Sequence, residues 1–284
     1  MKTEDTKALA ESALETLAAQ LESGQSAALT TYLMTMARFH RYSINNVLLI
    51  QAQRPGATRV AGFATWRQLG RFVRRGEKGI AILVPIAYRR HGTDADRELE
   101  TSDGDTVRTI VGFKAGYVFD ISQTDGEPLP VLTEVSGDPA DFAVQLKAFA
   151  NSRGIEIEYG NRELGSAYGA SFGGRILLRD DLSPAVEFAV LVHEVAHELL
   201  HRGDRRAATT KKVRETEAEA VAFVVSQAIG LETNRAASDY IQLYAGSKET
   251  LLASLEAIRG TSVVLLDALM EDGRARTGLA LRTA

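Results

Sequence analysis

Val192-His-Glu-Val-Ala-His-Glu-Leu-Leu-His201 is the stretch on which the reading of this 284-residue chain turns. Its H-E-x-x-H pattern sets His193 and His197 four residues apart, hence on one face of a helix. Both imidazoles can then address one ion. Glu194 projects beside that face, where it can take a proton from water acidified by the ion. Five-residue patterns recur by chance, but Val192, Val195, Ala196, Leu199 and Leu200 leave this helix little solvated surface. A polar stripe facing water is therefore a poor account of these residues.

Two imidazoles do not complete a metal site, and the chain has no cysteine, so the remaining donor must be His, Asp or Glu. A Glu-rich helix follows at Arg214-Glu-Thr-Glu-Ala-Glu-Ala-Val-Ala-Phe223. Glu215 and Glu219 share one face of it, and Ala218 is small enough for two helices to approach. The first choice is Glu215 as third ligand, with Glu219 orienting a ligand histidine. Glu219 as ligand is the main competitor, and Glu217, pointing roughly opposite Glu215, is the weaker one. His201 continues the series, but 193 to 201 spans about 12 Å at about 1.5 Å per residue, too far for one ion to collect all three rings. It reads as a helix-end residue bonding carbonyls or a buried acid. The expected chemistry is metal-assisted peptide hydrolysis, with the strand Gly174–Arg179 binding extended substrate along its edge. Tyr168, Tyr240 and Tyr244 are candidate oxyanion partners.

Upstream of the motif, the pattern predicts a helix over Pro139–Arg153. Strands at Ile155–Tyr159 and Arg175–Arg179 follow, with the glycine-rich turn Gly165–Gly174 between them. The motif helix runs Pro184–His201, its Glu-rich partner Val213–Ile229, and further helices follow. Pro128, Pro130, Gly137 and Pro139 mark a linker, giving an N-terminal domain at 1–126, a linker at 127–138 and a second domain at 139–284. In the N-terminal part, residues 5–42 look helical with a break at Gly24. Short helices are expected at Asn46–Gln53 and Thr65–Phe72, and strands Ile80–Tyr88 and Thr109–Asp120 should pair across the polar loop 91–108.

The net charge of −4 hides an asymmetry. Between Arg41 and Arg90 ten Lys/Arg face one acid, Glu77, so the segment is +9 and the rest of the chain carries −13. Aromatics are interleaved with these cations: Phe39, Tyr42, Phe63, Trp66, Phe72 and Tyr88. Cations that neutralise phosphates and rings that stack on unpaired bases are what a single-strand binder needs. Arg41, Trp66, Arg67, Arg71, Arg74, Arg75 and Lys78 are the candidate single-stranded-DNA contacts. The turn Arg74-Arg75-Gly-Glu-Lys-Gly offers N–H groups beside three cations. Taken ring by ring, Trp66, Phe63 and Phe72 read rather as the core of a small domain with the arginines solvated. It is the charge cluster as a whole that points to a polyanion. No apolar run approaches the roughly 18–20 residues of a membrane span. The acidic, helical N-terminus is not a signal peptide, so a cytoplasmic location is the default.

At these residues the chain resembles the ArdC-like antirestriction family. The resemblance rests on Ser43-Ile-Asn-Asn-Val-Leu-Leu-Ile, Ala64-Thr-Trp-Arg-Gln-Leu-Gly, Arg75-Gly-Glu-Lys-Gly, Val118-Phe-Asp-Ile-Ser-Gln-Thr-Asp-Gly and the two helices above. The C-terminal part also looks like ImmA/IrrE-type peptidases. The resemblance implies an α+β fold of two domains, a small basic α+β domain binding single-stranded DNA and a helix-rich, zincin-like metallopeptidase domain with a small sheet. It implies Zn2+, a glutamate third ligand and a role in protecting DNA from restriction. The alternative is a zinc endopeptidase cleaving a regulatory protein, with the N-terminal unit binding a protein partner.

Overall fold

The computed structural model describes residues 1–89, 108–126, 139–231 and 247–280. The linker 127–138, nearly all of the 91–108 loop, Arg90, Tyr240 and Tyr244 lie outside the described residues. The fold is α+β, with small sheets among helices. Two compact units emerge, one from Met1–Ala13 with Leu48–Pro128, the other from Leu14–Val47 with Leu129–Ala284. Residues 14–47, grouped by sequence with the N-terminal domain, thus pack with the second unit.

Three helices open the chain: α1 (Thr3–Glu22), α2 (Ser26–Arg38) and α3 (Ile44–Gln53). Gly24, at φ +83°, makes the break between α1 and α2 in the left-handed region that only glycine enters freely. In the first unit, β1 (Val60–Ala61) precedes α4 (Phe63–Gln68) and β2 (Arg71–Val73). The helix expected over Thr65–Phe72 therefore stops early, because Phe72 pairs with Asp125 in a β ladder. β3 (Ile80–Arg89) and β4 (Arg108–Asp120) form a long antiparallel hairpin, and the sheet order is β1-β4-β3. Its register runs from Ile80 opposite Val118 to Arg89 opposite Arg108, with an irregularity at Ile86/Ala87. β5 (Thr124–Gly126) pairs with β2. Strand β3 is an edge, and the Gln53 amide caps it by donating to the Ala81 carbonyl at 2.9 Å and accepting its N–H at 3.0 Å. Ala10, Leu49 and Leu83 pack beneath it.

In the second unit, α5 (Ala140–Ser152) leads into a three-stranded sheet of β6 (Glu156–Tyr159), β7 (Gly169–Ser171) and β8 (Arg175–Leu178). The order is β6-β8-β7, with β8 parallel to β6 and antiparallel to β7. Strand β7 lies inside what the sequence presents as a glycine-rich turn. Three residues with no alternating apolar pattern leave no periodicity to read. Helices α6 (Pro184–Leu200), α7 (Gly203–Ala208), α8 (Lys211–Ala228) and α9 (Lys248–Ala280) complete the unit. Pro184 at the first turn of α6 gives up only an N–H that has no partner inside a helix. The Thr210 hydroxyl caps α8 by accepting from the Val213 N–H. Leu251, Leu255, Ile258, Leu265 and Leu269 give α9 a buried stripe at helical spacing, each such side chain contributing about 1.5–3 kcal/mol. No helix among the described residues is long and apolar enough to cross a membrane.

Candidate functional site

Helices α6 and α8 meet across side chains small enough for close approach, with Ala196, Ala218 and Ala220 all fully buried. That approach brings three potential ligands together. His193, His197 and Glu215 each offer one atom, all within 4.8 Å of one another. The two Nε2 atoms are 3.1 Å apart. Glu215 Oε2 is 3.6 Å from His193 Nε2 and 3.4 Å from His197 Nε2. Tetrahedral ligands about 2.0–2.1 Å from a zinc-sized ion are about 3.3–3.4 Å from each other, so this triangle has the dimensions of such a ligand set. The donor set fits a divalent cation.

The surrounding charges act in the same direction. Burial alone would lower the His193 imidazole, but the Glu215 and Glu219 carboxylates outweigh it and raise it to about 9. Glu215 is held well below the usual carboxylate range by His193 and His197. Glu219 Oε2 lies 3.3 Å from His193 Nδ1, a charge contact without the alignment of a hydrogen bond. Glu194 is buried beside the triad, and burial pushes its carboxyl up against the opposing pull of His193 and His197. Glu217 is turned away from the triad, fully buried against His201, with 3.0 Å from His201 Nε2 to its Oε2.

Strand β7 runs close beside Glu194. A Cβ added at Gly169 would come within 2.7 Å of Val190 and 3.2 Å of the Glu194 side chain, so only glycine lets strand and helix approach here. Glu198, also buried, accepts from the Ser171 hydroxyl, from the Gly173 and Gly174 N–H groups at 2.8 Å each, and from Arg202. This carboxylate ties the turn after β7 to α6. The glycine cluster 169–174 was the available sequence clue to this contact, and Glu198 gave none beyond lying next to a motif histidine. The strand expected to offer a substrate-binding edge, Gly174–Arg179, does not have one. β8 is hydrogen-bonded on both sides, and β7 is the edge nearest Glu194. Tyr168, just before β7, is exposed.

The candidate DNA contacts divide. Trp66 is 2% exposed and its indole N–H donates to the Phe119 carbonyl at 2.8 Å. It is a core residue and cannot stack on a base, which corrects the expectation for it. Arg41 pairs with Asp267 at 2.6 Å and lies in the second unit. Arg71 donates to the Thr124 hydroxyl and carbonyl and to the Gly126 carbonyl. Arg74 donates to Glu77, Asp125 and the Ser122 carbonyl. Those two guanidiniums clamp β2 to the segment that pairs with it. Arg67, Arg75 and Lys78 are exposed. The exposed rings near them in sequence are Phe63, at 52%, and Phe72, at 59%.

Residues 7–119 match the family described as the N-terminal domain of anti-restriction factor ArdC. An uncharacterized protein of Bacillus anthracis is 26% identical over 243 residues, covering 72% of this chain. The chain spans about two-fifths of that relative, 41% of its length. Among solved structures, the Mn(II)-bound antirestriction ArdC protein from the R388 plasmid superposes with a TM-score of 0.53 at 15% identity, covering 92% of this chain and 98% of that one. The metal-free crystal structure of the same protein gives a TM-score of 0.48 at 18% identity, over 80% and 85% of the two chains.

Proposed function

We propose that this chain, which is ArdC-like in its N-terminal sequence and in its fold, is an antirestriction protein that binds single-stranded DNA through its first unit and carries a hydrolytic divalent-metal centre in its second. The observation that carries the second half is the convergence of His193, His197 and Glu215 within 4.8 Å on two packed helices. A set of two imidazoles and one carboxylate suits zinc, and the Mn(II) in the R388 ArdC structure supports the divalent class. Those three side chains would hold the ion, and Glu219 would keep the His193 ring in place. When bound, the ion supplies Lewis acidity, polarising a carbonyl and acidifying water. Glu194, whose carboxylate borders the triad and approaches the backbone of β7, receives a proton from water and passes it to the leaving amine. An extended peptide pairing with the outer edge of β7 would lie beside that carboxylate, which itself accepts from the Ser171 N–H.

For the first unit, the support is the basic segment together with two exposed rings. Arg67, Arg75 and Lys78 would neutralise phosphates while Phe63 and Phe72 stack on bases. Binding of a labelled oligonucleotide should weaken with salt, with a log–log slope of about −0.7 per phosphate contacted. Binding that ignores salt, or that is equal for double-stranded DNA and other polyanions, removes this half. The chain purified without chelator should carry about one zinc, lost on His193→Ala. Full occupancy in that variant removes the other half. Glu194→Gln should retain metal and lose hydrolysis, and unchanged hydrolysis would exclude its role as base.

A further inference from the structure

His201 is fully buried at the C-terminal end of α6, and both of its ring nitrogens are engaged. Its Nδ1 lies 2.9 Å from Nδ1 of His197, and its Nε2 lies 3.0 Å from Glu217 Oε2. Glu217 is equally buried. Arg205 donates to its other oxygen at 2.7 Å, and Ser254 of α9 also bonds to it. Nothing in H-E-x-x-H requires a third histidine, and one ion cannot reach this one.

We infer that His201, held by Glu217, is a positioning residue that fixes the tautomer of His197 and so keeps its Nε2 lone pair facing His193 and Glu215. The inference rests on the metal-site reading above and extends it one residue outward. An ionised carboxylate only accepts hydrogen bonds, so the ring nitrogen facing Glu217 must carry the hydrogen. A neutral His201 is then bare at Nδ1, and across 2.9 Å it can only accept. His197 must therefore donate from its own Nδ1, which leaves its Nε2 without hydrogen. A ligand histidine needs that state, and partners of this kind also hold the ring plane against rotation. His193 instead has Glu219 Oε2 3.3 Å from its Nδ1, a charge contact without the alignment of a hydrogen bond. The two ligand rings thus have different neighbours, a carboxylate beside one and a second imidazole hydrogen-bonded to the other. Arg205 of α7 and Ser254 of α9 in turn keep the Glu217 carboxylate from lying buried without partners.

The test uses the full chain loaded with zinc, its affinity read by competition with a chromophoric chelator. His201→Leu removes the acceptor and should weaken zinc binding by about 10–100-fold. His201→Asn places a carbonyl oxygen close to where Nδ1 stood and should restore affinity to within a few-fold of the parent. Cobalt(II) replaces zinc for a second readout, and its visible spectrum should change in His201→Leu and return in His201→Asn. A folded His201→Leu chain with parental affinity and an unaltered cobalt spectrum overturns the inference. If His201→Leu fails to fold, nitrogen-15 NMR of the zinc-loaded parent decides. Hydrogen on Nδ1 of His197 and Nε2 of His201 supports the inference, and hydrogen on Nδ1 of His201 overturns it. A parent chain that binds no zinc, or a His193→Ala variant that binds as the parent does, overturns the metal reading itself without involving His201.

Discussion

The α6/α8 corner and the basic run 67–78 both attract notice through their charged residues, yet the fold treats them in opposite ways. At the corner, two imidazoles and a carboxylate from separate helices point at one small volume. In the basic run, Arg71 and Arg74 turn back onto the chain's own carbonyls, hydroxyls and acids. The difference lies in what each inference used. A spacing of four on a helix is a rigid geometric statement, because side chains at i and i+4 are neighbours whatever else the helix does. A cluster of like charges fixes only an average. Each arginine carries five donors on a long stem, and the nearest unpaired carbonyl competes with any phosphate for them.

The largest expected effect separates the two aromatic residues that composition treats alike. Trp66→Ala should destabilise the chain by about 3–5 kcal/mol, since it empties a buried site and strands the Phe119 carbonyl. Phe72→Ala should stay within about 0.5 kcal/mol of the parent in stability, yet weaken binding of a single-stranded oligonucleotide by about 1–3 kcal/mol. Denaturant unfolding and anisotropy titrations read the two separately. A Phe72 variant that binds as the parent does would leave the first unit without a stacking ring on β2.

At the corner, Glu215→Ala should weaken zinc binding by at least about 100-fold, while Glu219→Gln should cost about 10–100-fold, the range for a partner outside the ligand set. Chelator competition ranks them. The reverse order would exchange the roles of the two acids and make Glu219 the ligand.

What was legible in the sequence follows the same division. For His201, spacing excluded a ligand role and left carbonyls or a buried acid open until Glu217 is seen against its ring. The α6 and α8 spans and the hairpin of β3 and β4 came from helical or alternating periodicity. Strand β7 did not, because three residues within Gly169–Gly174 carry no pattern, and its place depends on Glu198 and on the missing Cβ of Gly169. Nor did the fate of Trp66. A lone indole beside cations fits a core better than a stacking platform when taken alone, and the charges around it argue the other way until the Phe119 carbonyl is known to lie against its N–H. The grouping of residues 14–47 with the second unit is likewise a matter of long-range packing, which local pattern does not encode.

Asp120 supplies a test in which charge is again turned inward. It is buried and accepts from the Thr58 N–H at 2.8 Å, the Arg59 N–H at 3.1 Å and the Ser122 N–H at 2.9 Å. Burial pushes its carboxyl up, but the Ser122 hydroxyl and these N–H groups outweigh it and hold it below the ordinary aspartate range. A carboxyl depressed in the folded state stabilises the fold at every pH above its unfolded value of about 3.9. That contribution declines below about pH 4 and is lost as the pH passes the folded value. Asp120→Asn should lower stability at neutral pH by about 1–3 kcal/mol and flatten the acid limb of the profile. An acid limb that keeps its parental shape in this variant would show that other carboxylates set it.

The smallest effect tests the arginines one at a time. Of the cations in the basic run, Arg67, Arg75 and Lys78 are exposed, whereas Arg71 and Arg74 close the β2–β5 ladder. Each exposed cation that meets a phosphate should remove about 0.7 from the log–log salt slope when replaced by alanine, whatever the oligonucleotide sequence. Arg74→Ala should leave the slope alone and instead lower the melting temperature, because its partners Glu77, Asp125 and the Ser122 carbonyl belong to the chain. If Arg74→Ala changes the slope as much as Arg75→Ala does, the clamp opens on binding and its guanidinium transfers from these partners to a phosphate. Composition would then have identified a nucleic-acid contact that the folded geometry conceals.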